Sequence, residues 1–304
     1  MRLVVTILAA ALAVIAFPPF GWGIWAVVPG LAGLIWALDG TKGWWRGALY
    51  GLVWGFVFYG GLMWWMATLE LVAAVGLALL QAFFAGLFGA ISTTRWAQSL
   101  PPWRRWLLVV GLWAGAEWLR YRYPLGGLEW GALGYALGEH RWLRGTAAWV
   151  GTSGLTVLVA ATASIVSAPT RIRITALAGF VALLLVGALF PGIPNGPEAS
   201  MAVVQGATPC PFQHCPDERL GTYRLHLASS QQLPGDTFEL VVWSEGSLGS
   251  TNADPTKNPE VAESIADEVR RLDSHLLAGS DRVLSEDTWE NVNIMWNPDG
   301  TIQD

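Results

Sequence analysis

Charged side chains make up only 13% of the 304 residues, against 53% hydrophobic ones, which is too little polar surface to coat a water-soluble globule of this size. Basic residues are also missing from one part of the chain: up to Glu198 there are 12 Lys and Arg against 6 Asp and Glu, and from Ala199 onward 6 against 17. An acidic C-terminal part cannot neutralise phosphates, which excludes nucleic-acid binding. Cysteine is nearly absent, with Cys210 and Cys215 alone, so neither a disulfide framework nor a paired-cysteine zinc ribbon can be built.

What is abundant is long uncharged runs, and those runs carry most of the tryptophan. Sixteen of the 19 Trp precede Ala199, as expected where amphipathic rings settle at two membrane interfaces. A hydrocarbon layer asks for roughly 17–25 apolar residues per helical crossing, with every backbone polar group satisfied inside the segment. About seven runs qualify, at 3–17, 22–38, 47–66, 71–91, 107–119, 146–168 and 174–190, the fifth with a possible start at Trp103. Pro18-Pro19, Asp39-Gly40 and Pro101-Pro102 interrupt them. Gly47, Gly51 and Gly55, with Gly60 and Gly61, allow close helix approach. The first run, with Arg2 ahead of it, also resembles a secretory signal, but the prolines and the second run directly after it favour an uncleaved helix.

With a cytoplasmic N-terminus, the inner loops hold Arg2, Lys42, Arg46, Arg95, Arg104, Arg105, Arg171 and Arg173, and the outer ones Arg120, Arg122, Arg141 and Arg144. That bias obeys the positive-inside rule, and seven crossings then deliver the acidic part to the outer face. The division expected is a helical membrane bundle over 1–190, a linker over 191–198 containing PGIPNGP, and an extracytoplasmic domain over 199–304. Within that domain the patterns read as strand 201–206, helix 217–232, strand 238–246, helix 259–275, strand 276–281 and strand 291–297, closed by the turn Pro298-Asp299-Gly300. This is the opening of an α/β domain with strands buried on both faces.

Glu245 is the candidate catalytic residue, because it follows LVVW at the carboxyl end of a buried strand, where ligand and catalytic groups of α/β sheets gather. Partial desolvation there would raise its pKa towards the range of a general base. A solvated carboxylate opening a loop is the alternative. The run CPFQHC, Cys210 to Cys215 with His214 inside, allows a small disulfide-closed loop, two free thiols, or a weak metal site short of a third and fourth ligand. Among carboxylates near the membrane, Glu70 stands at a run junction and Glu129 and Glu139 in an outer loop, while Glu117 and Arg120, three apart on one helix, can neutralise each other.

FPPFGW near the N-terminus, AEWLR followed by Tyr123-Pro124, VGTSGLTVL, AVVQG, LVVWSEGS and NIMWNPDGTIQD occur in an order that resembles the apolipoprotein N-acyltransferases along the whole chain. The resemblance implies a bacterial inner-membrane, multi-pass protein whose nitrilase-like αββα domain sits between the last two of eight helices. It further implies a Glu-Lys-Cys triad. The cysteine takes an acyl chain from a phospholipid as a thioester and passes it to the N-terminal amine of a lipid-modified cysteine on an apolipoprotein, with no cofactor and no metal. Glu245 matches the family's glutamate, although the usual WPET is WSEG here, with Ser244 and Gly246, and QGN is Gln205-Gly206-Ala207. The chain stops at Asp304, before the family's lysine, cysteine and eighth helix, so a truncated nitrilase-like domain without activity of its own is expected. Cys210 and Cys215 come too early in the chain to replace the cysteine. Two other functions compete: a membrane-anchored amidase of the wider nitrilase group, releasing acyl groups to water, and a non-catalytic multi-span scaffold or transporter.

Overall fold

The computed structural model describes residues 1–138, 140–189, 196–210, 215–285 and 288–303. It divides into two compact units, Met1–Pro194 and Asn195–Asp304. Most of the proline-rich linker (190–195), Glu139, and His214 with its neighbours 211–213 lie outside the described residues.

The first unit is helical: α1 (Arg2–Val14), α2 (Ile24–Leu38), α3 (Trp44–Leu62), α4 (Leu71–Ser92), the short α5 (Arg95–Ser99), α6 (Pro102–Arg120), the short α7 (Arg141–Arg144), α8 (Ala147–Ala163) and α9 (Thr170–Leu189). Each of the seven apolar runs falls on one of these helices. Among the described residues three helices are, by length and composition, fit to cross a membrane: Leu71–Ser92, Ala147–Ser167 and Thr170–Leu189. α1 and α2 are apolar but shorter. α6 begins at Pro102 rather than at 107, because a proline suits the first helical position, where no backbone N–H is needed. α8 is kinked at Gly151 (φ 64°).

Helices 3 and 4 pack through the expected glycines. A β-carbon on Gly47 would stand 2.2 Å from the Gly89 carbonyl, and one on Gly51 2.0 Å from that of Ala85, so only hydrogen fits along this seam. The bundle core is aromatic as well as aliphatic, with Trp54 edge-on to Trp113 at 5.4 Å and its ring tilted by 33° to that of Phe58 at 4.7 Å. At one end of the bundle Arg2 reaches the Ala37 carbonyl, Thr93 the Gly43 carbonyl and Gln98 the Thr41 carbonyl. With the ion pair between Arg105 on α6 and Asp39 after α2 (2.7 Å), these bonds place the N-termini of α1, α3 and α6 beside the C-termini of α2 and α4, as an up-and-down bundle requires.

The second unit is a mixed five-stranded sheet with helices: β1 (Met201–Val204), α10 (Glu218–Ser230), β2 (Leu240–Trp243), β3 (Leu248–Gly249), α11 (Ser250–Ala253), α12 (Pro259–Leu272), β4 (His275–Ser285) and β5 (Thr288–Trp296). β1, β2 and β4 run parallel in that order, and β5 is antiparallel to β4. α12 is as expected on its buried face, Val261, Ile265, Val269 and Leu272, and is capped by the Asn258 side chain. It ends three residues early because Asp273 turns left-handed (φ 50°) and releases His275 to β4.

Two sequence expectations are corrected. β4 and β5 are longer than their apolar runs, pairing from Leu276↔Trp296 out to Ser285↔Thr288. Their outer halves form a ribbon beyond the sheet, where exposed side chains such as Leu284 and Trp289 need no alternation. Strand 238–246 is split, ending at Trp243 and resuming as β3. The turn after β5 forms as expected. The Asp299 carboxylate accepts from the Thr301 hydroxyl (2.6 Å) and amide (2.9 Å), and these bonds hold its pKa below the usual carboxylate range.

Candidate active site

The split in the strand is what presents Glu245. β2 stays in register with β4 through Val242↔Leu277, and β3 rejoins it at Leu248↔Ser280, so residues 243–247 face only 278 and 279. The surplus chain must leave the sheet plane, as in a bulge. It does so as a tight turn, Ser247 N–H donating to the Ser244 carbonyl at 3.1 Å with Gly246 at φ 72°. Glu245 stands at the crest, at the carboxyl end of β2. Beneath it lies Gly279 of β4, where a β-carbon would come within 2.9 Å of the Glu245 Cα. The backbone at Glu245 therefore requires glycine at 279.

The Glu245 side chain is exposed, which corrects the partial desolvation expected for it. It opens onto a cavity of about 490 Å³ whose wall includes Arg219, Asp281, Trp289 and Asn291. Asn291 on β5 donates from Nδ2 to Glu245 Oε1 at 2.8 Å, and the other carboxylate oxygen has no partner among the described residues. Arg219 on α10 is tied to Asp281 (2.8 Å) and reaches the Gly246 carbonyl (3.4 Å). A carboxylate with one oxygen oriented and the other open to a cavity can take a proton from a substrate or a nucleophile placed there. Among the described residues, none that lines this cavity is a lysine or a cysteine.

Behind the turn, His226 is buried and fixed. Its Nδ1 contacts the Thr222 carbonyl at 2.8 Å, so that nitrogen carries the proton, and Nε2 meets Ser244 Oγ at 3.0 Å. Ser244, where the resembled family has proline, is thereby held by α10 rather than by ring geometry. Asn291, Gly279, Arg219 and Asp281 were not singled out in the sequence. A glycine inside the apolar strand LLAGSD is a signal for close backbone approach, whereas Arg219 has no signature of its own. Cys210 and Cys215 are joined to each other, so neither sulfur is a thiolate.

In the helical unit the expected Glu117–Arg120 neutralisation is not found. Glu117, 3% exposed, accepts four hydrogen bonds, from Trp113 Nε1 (3.2 Å), the Leu133 amide (3.1 Å), the Tyr121 hydroxyl (2.5 Å) and Thr156 Oγ1 (2.8 Å). Arg120, fully buried, donates to the carbonyls of Leu128 (2.8 Å) and Trp130 (2.7 Å) and to Gln81 Oε1 (3.2 Å), over the rings of Tyr59 and Tyr121. Glu117 is satisfied by its own ring of donors, whereas Arg120 bonds through Nη1 alone and its Nε and Nη2 have no hydrogen-bond partner among the described residues; together the two side chains bolt the 121–137 segment to α4, α6 and α8. With four donors its acceptor sites are filled, which leaves Glu117 no capacity for a ligand. Glu70 caps α4 through the Val72 amide, and Glu129 accepts from the Tyr135 hydroxyl.

The profile of the apolipoprotein N-acyltransferase N-terminal domain matches residues 9–165. Similar proteins are called apolipoprotein N-acyltransferase: that of Gloeobacter violaceus is 27% identical over 81% of this chain and 50% of its own length. That of Sinorhizobium medicae is 30% identical over 92% of this chain and 57% of its own, and that of Rhizobium rhizogenes 26% over 93% and 58%. This chain thus spans little more than half the length of these relatives.

Proposed function

This chain belongs to the apolipoprotein N-acyltransferase family, and on that premise we propose that it serves lipoprotein N-acylation with Glu245 as the general base. The observation that carries the reading is the strand split that lifts one carboxylate, oriented by Asn291, to the rim of a cavity at the carboxyl end of β2. In the reaction Glu245 takes the proton from a cysteine thiol as it attacks a phospholipid ester, and returns it to the departing alcohol. A lysine stabilises the tetrahedral oxyanion. The thioester then yields its acyl chain to the N-terminal amine of a lipid-modified cysteine on an apolipoprotein. The lysine and cysteine belong to positions after Asp304 in the family's order. Residues 1–304 alone, with a base and no thiolate, form no acyl-enzyme.

The membrane arrangement belongs to the same proposal. α3 and α6 have 19 residues each, about 28 Å at 1.5 Å per residue, close to a hydrocarbon core. Counted with the three longer helices and the shorter α1 and α2, they give seven crossings. Arginine then marks the cytoplasmic end, and a nitrilase-like domain stands on the outer face of the inner membrane.

The test uses phospholipid with a labelled acyl chain and a diacylated lipopeptide bearing a free N-terminal cysteine. Protein extended to the length of its relatives is expected to transfer label to the lipopeptide amine, and Glu245→Gln to lower that transfer by about 10²–10⁴-fold. A labelled acyl-enzyme from residues 1–304 alone overturns the residue assignment, and label released only to water supports an amidase instead.

A further inference from the structure

At the arginine-rich end of the bundle, where α2, α4, α6 and the end of the α8 segment converge, lies a second cavity of about 240 Å³. One wall is apolar, with Ile35, Phe88, Trp106 and Val109; the polar side holds Arg105 and Ser92. Ser92 is 6% exposed, and its Oγ has no hydrogen-bond partner. Helical hydroxyls normally bond back to the carbonyl four residues earlier, as Thr93 does to Gly89 and Ser164 to Ala160. Ser92 leaves the Phe88 carbonyl and stays unpaired, although a buried hydroxyl without a partner is costly. Arg105 gives one nitrogen to Asp39 at 2.7 Å; its remaining N–H groups meet no acceptor among the described residues.

An unpaired hydroxyl and the free N–H groups of a guanidinium on the rim of one cavity form a donor set for a tetrahedral anion. A free inorganic anion would leave the apolar wall unused. An amphiphile uses both. Among the described residues Asp39 is the one carboxylate at this end of the bundle, against Arg2, Arg95, Arg104, Arg105 and Arg171, so the local field favours a headgroup of net negative charge. We propose that this cavity is a binding site for an anionic phospholipid, its phosphodiester held by Arg105 and Ser92 and its glycerol and first chain carbons against the apolar wall. Within the bundle, α6 alone, running from Pro102 to Arg120, puts about 27 Å between this cavity and the Glu117–Arg120 end.

The experiment is native mass spectrometry of the whole 304-residue chain in detergent, titrated with phosphatidylglycerol, phosphatidylethanolamine or inorganic phosphate. One phosphatidylglycerol is expected to bind in preference to phosphatidylethanolamine, and about tenfold more weakly to Arg105→Gln and to Ser92→Val. Arg104→Gln, which changes an exposed arginine outside the cavity, is expected to bind like the parent. If Arg105→Gln does not fold, Ser92→Val alone decides, since it leaves every charge in place. Unchanged binding by Ser92→Val, or equal weakening by Arg104→Gln, overturns the site. Displacement of the lipid by equimolar inorganic phosphate, or equal affinity for phosphatidylethanolamine, overturns the anionic-lipid assignment.

Discussion

Glu245 and the residues that touch it carry separable consequences. Glu245→Gln keeps the shape and the Asn291 contact while removing the proposed base, so acyl transfer by the relatives-length protein is expected to fall by about 10²–10⁴-fold with unchanged thermal unfolding. Gly279→Ala acts through structure, because its new methyl meets the Glu245 Cα. A loss of about 1–3 kcal/mol is expected, read as a lower unfolding temperature together with reduced transfer. The strand-end position of Glu245 was legible in the sequence because a charge soon after four apolar strand residues is conspicuous. Gly279 and Asn291 were not, since their meaning comes from the pairing of β4 with β3 and β5, which no local pattern announces. The Glu117–Arg120 expectation failed for the same reason. Spacing on one helix suggested a mutual pair, but Gln81, Leu128, Leu133 and Thr156 arrive from elsewhere in the chain to take each charge separately. Arg120→Leu leaves the Leu128 and Trp130 carbonyls without their donor, at about 1–3 kcal/mol each. It is expected to speed tryptic cleavage after the exposed Arg122.

Among elements, the helices were the most legible, because a long uncharged run constrains the backbone strongly. Their glycine seam was visible too. Gly51→Leu places a branched side chain where even a β-carbon would stand 2.0 Å from the Ala85 carbonyl, so α3 and α4 must separate. The expected result is a loss of more than about 2 kcal/mol, seen as a lower midpoint in a thermal aggregation assay in detergent. Strand edges were the least legible. The split between β2 and β3 involves Ser244 to Ser247, whose polarity reads as a loop, and the short return to β4 at Leu248–Gly249 is too brief for any periodicity to register. The outer β4–β5 ribbon is likewise stabilised by backbone pairing rather than by a buried face, so hydrophobic alternation stops before the strands do.

At the scale of the whole molecule, composition did most of the work. The reversal of charge balance near residue 198 falls close to the division between the two compact units, because an apolar solvent and an aqueous one select different surfaces. What composition could not supply is how each unit is stitched internally, by buried polar groups in the helical one and by strand register in the other.

The link between Cys210 and Cys215 turns geography into something countable. Glutathione in the cytosol keeps such pairs reduced, whereas an oxidising periplasm preserves them. Protein harvested directly into alkylating reagent, with no reductant, should therefore show no modified sulfur if its acidic lobe matured outside, and two if it was made and kept within. A mass shift on one short peptide thus reports the sidedness of the entire chain.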